Sequence, residues 1–410
     1  MLSTVDTILM GGLSNLHLAA VGIGSMIFNI IYWNFGFLRM GTTGMTAQAY
    51  GAEETDHIWL SFLRPVLLSI VIGAGILLIQ SYLYSVNVWG LNISDELNPL
   101  ALQYFEIRIW AAPASLMLMV IMGWFFGMQN AIYPLILTVL INVSNIIVSY
   151  YLVTYANMDV RGVAWGTLIA QYIGTFAGLG LIMFRYRSVI QMNLLSKLKE
   201  LSSYKKFFQV NGNLFLRTIC LTFAFGFFYS QSSKLSDTVL AVNVVLMQFV
   251  NWMSYGIDGF AYATESLVGR FKGAKDIASL KQTIRQSFIW GGGVSVIYTL
   301  IYTLFGQDLF SLFSNDVSLY KVGKELLWYM AIFPLVSFAS YIWDGIFVGL
   351  TATRSMRNAM LGALIVFLIA FYALPSFPNG QNIWIAMCVL MIARASFQYL
   401  YYKKYGVELM

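Results

Sequence analysis

The chain has 410 residues, 59% of them hydrophobic and 10% charged, with a formal net charge of +6. Its mean hydropathy is +0.72. Water-soluble domains carry about 25% charged residues, so this composition excludes a soluble fold and points to a lipid solvent. Two cysteines, Cys220 and Cys388, both fall inside apolar runs; they read as small buried side chains, with neither a disulfide nor a metal implied.

Apolar runs of roughly 17–25 residues, long enough to cross a bilayer, recur along the whole sequence. In chain order they lie near 17–45, 58–84, 100–127, 131–154 and 162–185, then near 204–229, 237–267, 285–312, 323–350, 358–377 and 381–402. A stub over residues 1–12 precedes them. The runs mix Gly, Ser and Thr with Leu and Ile and lack the alternation of barrel strands, so they are expected to be helices. No cleavable signal peptide is visible.

The chain also repeats itself. A shift of 222 residues brings Leu13-Ser14 onto Leu235-Ser236, Leu18-Ala19 onto Leu240-Ala241, and Gly51-Ala52 onto Gly273-Ala274. It brings Gly123, Phe125 and Gly127 onto Gly345, Phe347 and Gly349, with Pro113 and Pro334 one residue out of step. A duplicated membrane unit keeps its span and loop lengths longer than its side chains. The expected architecture is all-α and polytopic: two six-helix bundles in a parallel pseudo-twofold repeat. The repeat leads to the expectation of twelve spans in the intact parent, with the first truncated in this sequence. The division is an N-lobe over 1–186, a linker over 187–203 and a C-lobe over 204–410.

Charge gives the expected orientation. Fifteen Lys and Arg residues, from Arg185 through Lys404, fall in loops on one side, against Arg161, Lys234, Lys321 and Lys324 on the other. The positive-inside rule places the basic loops and the C-terminus in the cytoplasm. The basic balance is therefore a topology signal, and no nucleic-acid partner is expected. The segment 186–206 is expected to form an amphipathic helix at the inner leaflet.

Two parallel bundles suit a transporter that alternates access by rocking. Catalysis is not expected: there is no HExxH, no phosphate loop, and no Cys/His pairing with metal spacing. His17 and His57 read as solvated loop residues. Charges inside spans are costly and usually face a cavity or a partner. Among them are Asp6, Arg39, Glu106, Arg108, Arg217, Asp258, Glu265, Asp344 and Arg394. Arg39, Glu106, Arg108 and Arg394 are expected to act as struts between helices, whereas Asp6 has few cationic partners in its half. Asn142, Asn145 and Ser149 fall at i, i+3 and i+7 and should line one stripe, with Thr167 in the next span. A carboxylate beside an amide oxygen and hydroxyls is a ligand set for bare Na⁺ or a proton relay. Asp258 and Glu265, seven residues apart, share a face; either could attract a cation or carry a second proton, and Arg217 could neutralise one of them.

The segments VDTILMGGLSNLHLAAVGIG (5–24), FGFLRMGTTGMTAQAYGA (35–52), FEIRIWAAPASL (105–116), DGFAYATESLVGRFKGA (258–274) and WDGIFVGLTATRSMRNAM (343–360) resemble the multidrug and toxic compound extrusion (MATE) transporters, in their DinF-like branch. The resemblance implies a secondary antiporter that exports organic, mostly cationic, compounds in exchange for H⁺ or Na⁺ across the bacterial inner membrane, as a monomer and without a cofactor. It implies that Asp6 is the first-helix coupling aspartate and that Asn145 and Thr167 belong to the N-lobe cation site. Ser149 departs from the pattern, since many relatives have a second aspartate there. One carboxylate holds a hard cation less well than two, which favours H⁺ coupling through Asp6 with only a weak Na⁺ site at Asp6, Asn145 and Thr167. Two other readings are a lipid-linked precursor flippase of the same superfamily, which would want a strongly cationic cavity, and a truncated membrane protein without transport.

Overall fold

A computed structural model describes residue 10 and residues 14–91, 93–190, 201–313, 317–375, 377 and 379–409. Among these residues the chain is helical, with no strand. The first half contains α1 (Asn15–Trp33), α2 (Phe37–Gly51), α3 (Thr55–Leu78), α4 (Gln80–Leu91), α5 (Asn98–Arg108), α6 (Ala112–Gly127), α7 (Ile132–Thr154) and α8 (Asp159–Arg185). The second contains α9 (Leu201–Leu235), α10 (Asp237–Gly273), α11 (Ile277–Ser311), α12 (Val317–Gly349), α13 (Thr353–Ala373) and α14 (Gln381–Leu409). Eleven stretches of these helices are long and apolar enough to cross a bilayer, and they coincide with the eleven apolar runs of the sequence. Large apolar side chains stand exposed along them, including Leu78, Phe184 and Val71; in lipid this is their solvated state, and the helices satisfy their own backbone groups.

Several helices outrun the hydropathy signal. α9, α10 and α11 begin before or end after their apolar windows, because polar turns at the water interface continue the same hydrogen-bond ladder. The span over 98–127 is interrupted instead. A 3₁₀ turn at Ile109–Ala111 joins α5 to α6, whose first turn holds Pro113; proline lacks the amide proton that an uninterrupted helix would need there. Of the basic linker, a 3₁₀ turn at Arg187–Val189 is described. The rest of the expected amphipathic helix falls on 191–200, outside the described residues, and on 201–206, which form the first turns of α9 instead.

The 222-residue register reappears in the backbone. Ser14 and Ser236 both cap their helices, accepting hydrogen bonds from the amides of His17 and Val239. Glu54 and Asp276 both precede a helix with almost the same φ and ψ, −86° and 84° against −87° and 85°. The burden of left-handed backbone is shared as well: Glu53 and Lys275 have φ of 58° and 57°, and Gln129 and Thr351 have 61° and 51°. Asp276 lies outside the spans, and its hydrogen bonds from the Ser279 side chain and amide hold its carboxyl below the usual carboxylate range.

Glycines repeat for a related reason. A Cβ on Gly123 would lie 2.4 Å from the Arg39 carbonyl oxygen, and one on Gly345 would lie 2.4 Å from that of Ala261; 39 and 261 are again 222 apart. Both positions are glycine because a neighbouring helix backbone already fills the space.

Contact density divides the chain into two units, Met1–Thr42 with Glu54–Ser202, and Thr43–Glu53 with Ser203–Met410. Residues 43–53, which the repeat places in the first half, thus pack with the second. The cause is the end of α2: Gly51 sits against the Arg270 carbonyl, Gly273 against the Gln48 carbonyl, and Gly269 against Ala47. The Gln48 amide donates to the Gly349 carbonyl at 2.7 Å. Small side chains permit helix axes to approach this closely in a membrane.

Candidate functional site

The first-half site forms where α7 meets α8. Helix α8 carries Gly162, Gly166, Ala170, Gly174 and Gly178 at intervals of four, one small stripe along its length. A Cβ on Gly174 would meet Ile141, and one on Gly178 would meet Ile121 and Leu137. Gly166 is the position that makes the site, for a Cβ there would lie 2.1 Å from the Ser149 hydroxyl and 2.9 Å from the Ser149 backbone. With the axes this close, the Asn145 side-chain amide donates to Thr167 Oγ1 at 3.1 Å and to Ser149 Oγ at 3.3 Å. All three side chains are buried. Asn145 Oδ1 is buried too and has no hydrogen-bond donor among the described residues. A lone buried acceptor costs about 1–3 kcal/mol, so this atom is poised to take a donor.

Of the stripe expected from sequence, Asn145 and Ser149 are brought together with Thr167, whereas Asn142 is not. Its amide donates to the carbonyl of Thr138 at 2.7 Å, one turn back along its own helix. Asp6 lies outside the described residues. Gly166→Ala is expected to push α7 and α8 apart and destabilise the protein by about 1–3 kcal/mol. Thermal unfolding in detergent measures this, and Gly166→Ala/Ser149→Ala should recover only part, because the Ser149 backbone still obstructs the new methyl.

A cavity of about 160 Å³ adjoins Thr167, lined by Tyr32, Arg108, Ala111, Ser115, Met119 and Gln171 besides Thr167. Arg108 was expected to be a strut. Its guanidinium lies over the Phe28 ring, 4.8 Å from the centroid, and donates to the hydroxyls of Tyr104 and of Ser25, the latter at 3.3 Å. Gly24 makes room for Tyr104, whose ring would clash with any Cβ there. Glu106, by contrast, points outward and is exposed.

In the second half the charges meet elsewhere than the sequence suggested. Arg217 pairs with Asp344, not with Asp258 or Glu265, and Arg394 reaches the same carboxylate oxygen. Gln398 donates to the other oxygen at 2.7 Å. All four side chains are buried, Arg394 to 2% exposure. Asp344 is the hub that sequence reasoning left out of the site; the surplus of two in-span arginines on the same half was the signal for it. Glu265 is 1% exposed and Asp258 half-buried on α10, so the deeper acid is Glu265, as expected. Elsewhere on α10, Asn243 bridges helices, donating to Ser232 at 2.8 Å and accepting from Trp384 at 2.9 Å. Among the described residues no group of three metal-binding side chains occurs.

The family model MatE matches residues 1–151 and 214–374. DNA damage-inducible protein F of Escherichia coli is 31% identical over 399 residues, covering 96% of this chain and 86% of that protein. The probable multidrug resistance protein NorM of Thermotoga maritima is 23% identical over 417 residues, covering 97% and 87%. In structure, the Vibrio cholerae MATE transporter VcmN in its bent form superposes with a TM-score of 0.86 at 17% identity, over all of this chain and 93% of that one. The eleven spans, the internal duplication and these likenesses agree: the chain is a multi-pass membrane protein of the MATE multidrug efflux transporter family.

Proposed function

We propose that this chain is a secondary antiporter in the inner membrane, exporting organic, mostly cationic compounds in exchange for H⁺ through alternating access. The C-terminus would face the cytoplasm, as the basic loops indicate. The observation that carries the ion assignment is the buried trio Asn145, Ser149 and Thr167. A single amide spans both hydroxyls, and its own carbonyl oxygen is left without a donor among the described residues. A protonated carboxyl supplies a donor; a carboxylate cannot. Asp6 in its protonated form would therefore satisfy Asn145 Oδ1, and deprotonation would remove that bond. The ion drives transport only because it binds the two conformations differently.

Na⁺ would need several oxygens around it. Here the amide nitrogen, not its oxygen, faces Ser149 and Thr167, and Ser149 stands where a second carboxylate would strengthen such a site. The flippase reading is less favoured, because Arg217 and Arg394 are both held by Asp344.

Flux of a fluorescent organic cation in proteoliposomes, under separate H⁺ and Na⁺ gradients, tests the proposal. Transport should follow the pH gradient, vanish in Asp6→Asn, and slow about tenfold in Asn145→Ala, the equivalent of one charge-assisted hydrogen bond between the two states. Transport driven by Na⁺ at fixed pH, with no response to a pH gradient, would reject H⁺ coupling.

A further inference from the structure

We infer that the cavity beside Thr167 is a subsite for an anionic group, taking a single-ring carboxylate or the carboxylate end of a larger zwitterionic substrate. This deepens the transport reading by naming a chemical class that a cation exporter would not be expected to hold, and it rests on that reading for its biological setting only.

Among the described residues Arg108 is the one charged side chain at the wall, and its surroundings are Tyr32, Ser115, Thr167 and Gln171, with Met119 and Ala111 as apolar cover. The partners that Arg108 has are neutral: the hydroxyls of Tyr104 and Ser25, and the face of Phe28. Among the described residues no carboxylate pairs with it. A guanidinium has five donors in a planar fork, and Nη1 serves both hydroxyls, so donors remain for a ligand. Stacking on Phe28 and the bond to Tyr104 fix the plane of the fork, which lowers the entropy lost when a carboxylate docks on it.

Size narrows the class further. A cavity of about 150 Å³ accommodates one benzene, and this one measures about 160 Å³. One ring fits, with its acid towards Arg108 and its faces against Tyr32 and Met119. A larger substrate would place only its acidic end here. The hydroxyl of Ser115 and the amide of Gln171 offer donors to the second carboxylate oxygen or to a ring substituent. In the other half of the repeat the position equivalent to Arg108 is Met330, so this chemistry has no counterpart there.

The test is calorimetric titration of anthranilate, and of its neutral isostere anthranilamide, into the full-length protein in detergent. Anthranilate should bind at least about tenfold more tightly than anthranilamide, since a charge-assisted fork is roughly twice as strong as neutral bonds. Arg108→Gln should abolish that difference, and Arg108→Lys should keep only part of it, because an ammonium lacks the planar fork. Equal binding of the two compounds by the wild type, or a preference that survives Arg108→Gln, would overturn the assignment. If Arg108→Gln does not fold, the wild-type comparison decides together with Gln171→Leu, which should weaken anthranilate several-fold. The readout is binding, so a failure of ion-coupled flux leaves it standing, and its failure leaves the coupling mechanism standing.

Discussion

Asp344→Ala should destabilise the protein by about 3–5 kcal/mol, the usual consequence of stripping one partner from a buried ion pair. The arithmetic of charge makes this substitution worse than any other in the cluster. Arg217, Arg394 and Asp344 together carry a net charge of +1, taken from two guanidinium groups and one carboxylate that meet on a single oxygen. Removing Asp344 leaves +2 buried between helices, with Gln398 as the only described polar partner that had contacted the carboxylate. Removing Arg217 leaves a neutral Arg394–Asp344 pair, so Arg217→Gln should be much milder. Thermal unfolding of detergent-solubilised variants gives the ranking directly. Equal losses for Asp344→Ala and Arg217→Gln would show that the carboxylate does not hold the three helices α9, α12 and α14 together.

Gly273→Ala is the second large effect. Its new Cβ would lie 2.0 Å from the Gln48 carbonyl oxygen and 3.0 Å from the Ala52 amide nitrogen. Gly51→Ala would bring a Cβ to 1.8 Å from the Arg270 oxygen and 3.0 Å from the Ala274 nitrogen. These obstacles are backbone, so no rotamer change relieves them, and the ends of α2 and α10 must separate. Overpacking of this kind costs about 1–3 kcal/mol, occasionally more. The two glycines face one crossing, so one separation accommodates both methyl groups. Gly51→Ala/Gly273→Ala should therefore cost little more than either alone, a clear departure from additivity. Unfolding midpoints of the three variants check it; strictly additive losses would mean that the two contacts are independent.

The spans were readable in the sequence because lipid imposes a uniform apolar length, and the repeat was readable because loops keep their spacing. Helix ends were less so. The polar turns at the ends of α9, α10 and α11 fall outside the apolar runs while extending the hydrogen-bonded ladder. In the site, Asn145 and Ser149 follow from a four-residue spacing on one helix face. Asn142 fits nearly the same stripe by sequence, yet a carbonyl one turn back satisfies it locally; periodicity cannot see that competition. Asp344 escaped for the opposite reason. Its partners lie 127, 50 and 54 residues away, and only the packing of α9, α12 and α14 brings them to one point. Arg108 likewise looked like a strut until its neighbours proved to be hydroxyls and a ring.

The matched carbonyl contacts of Gly123 and Gly345 have a bearing on how such a protein diverges after duplication. At these two points both copies kept glycine; at the polar sites they drifted into different trades. The positions equivalent to Asn145, Ser149 and Thr167 are Phe367, Phe371 and Val389, and those equivalent to Asp344 and Arg394 are Met122 and Tyr172. Apart from Tyr172, whose hydroxyl donates to the Trp110 carbonyl, each half is thus apolar where the other is polar. An inherited scaffold with its chemistry deleted is also an invitation to protein engineers: a second ion site could be written into α13 and α14, beginning with Cys388→Gly at the position equivalent to Gly166.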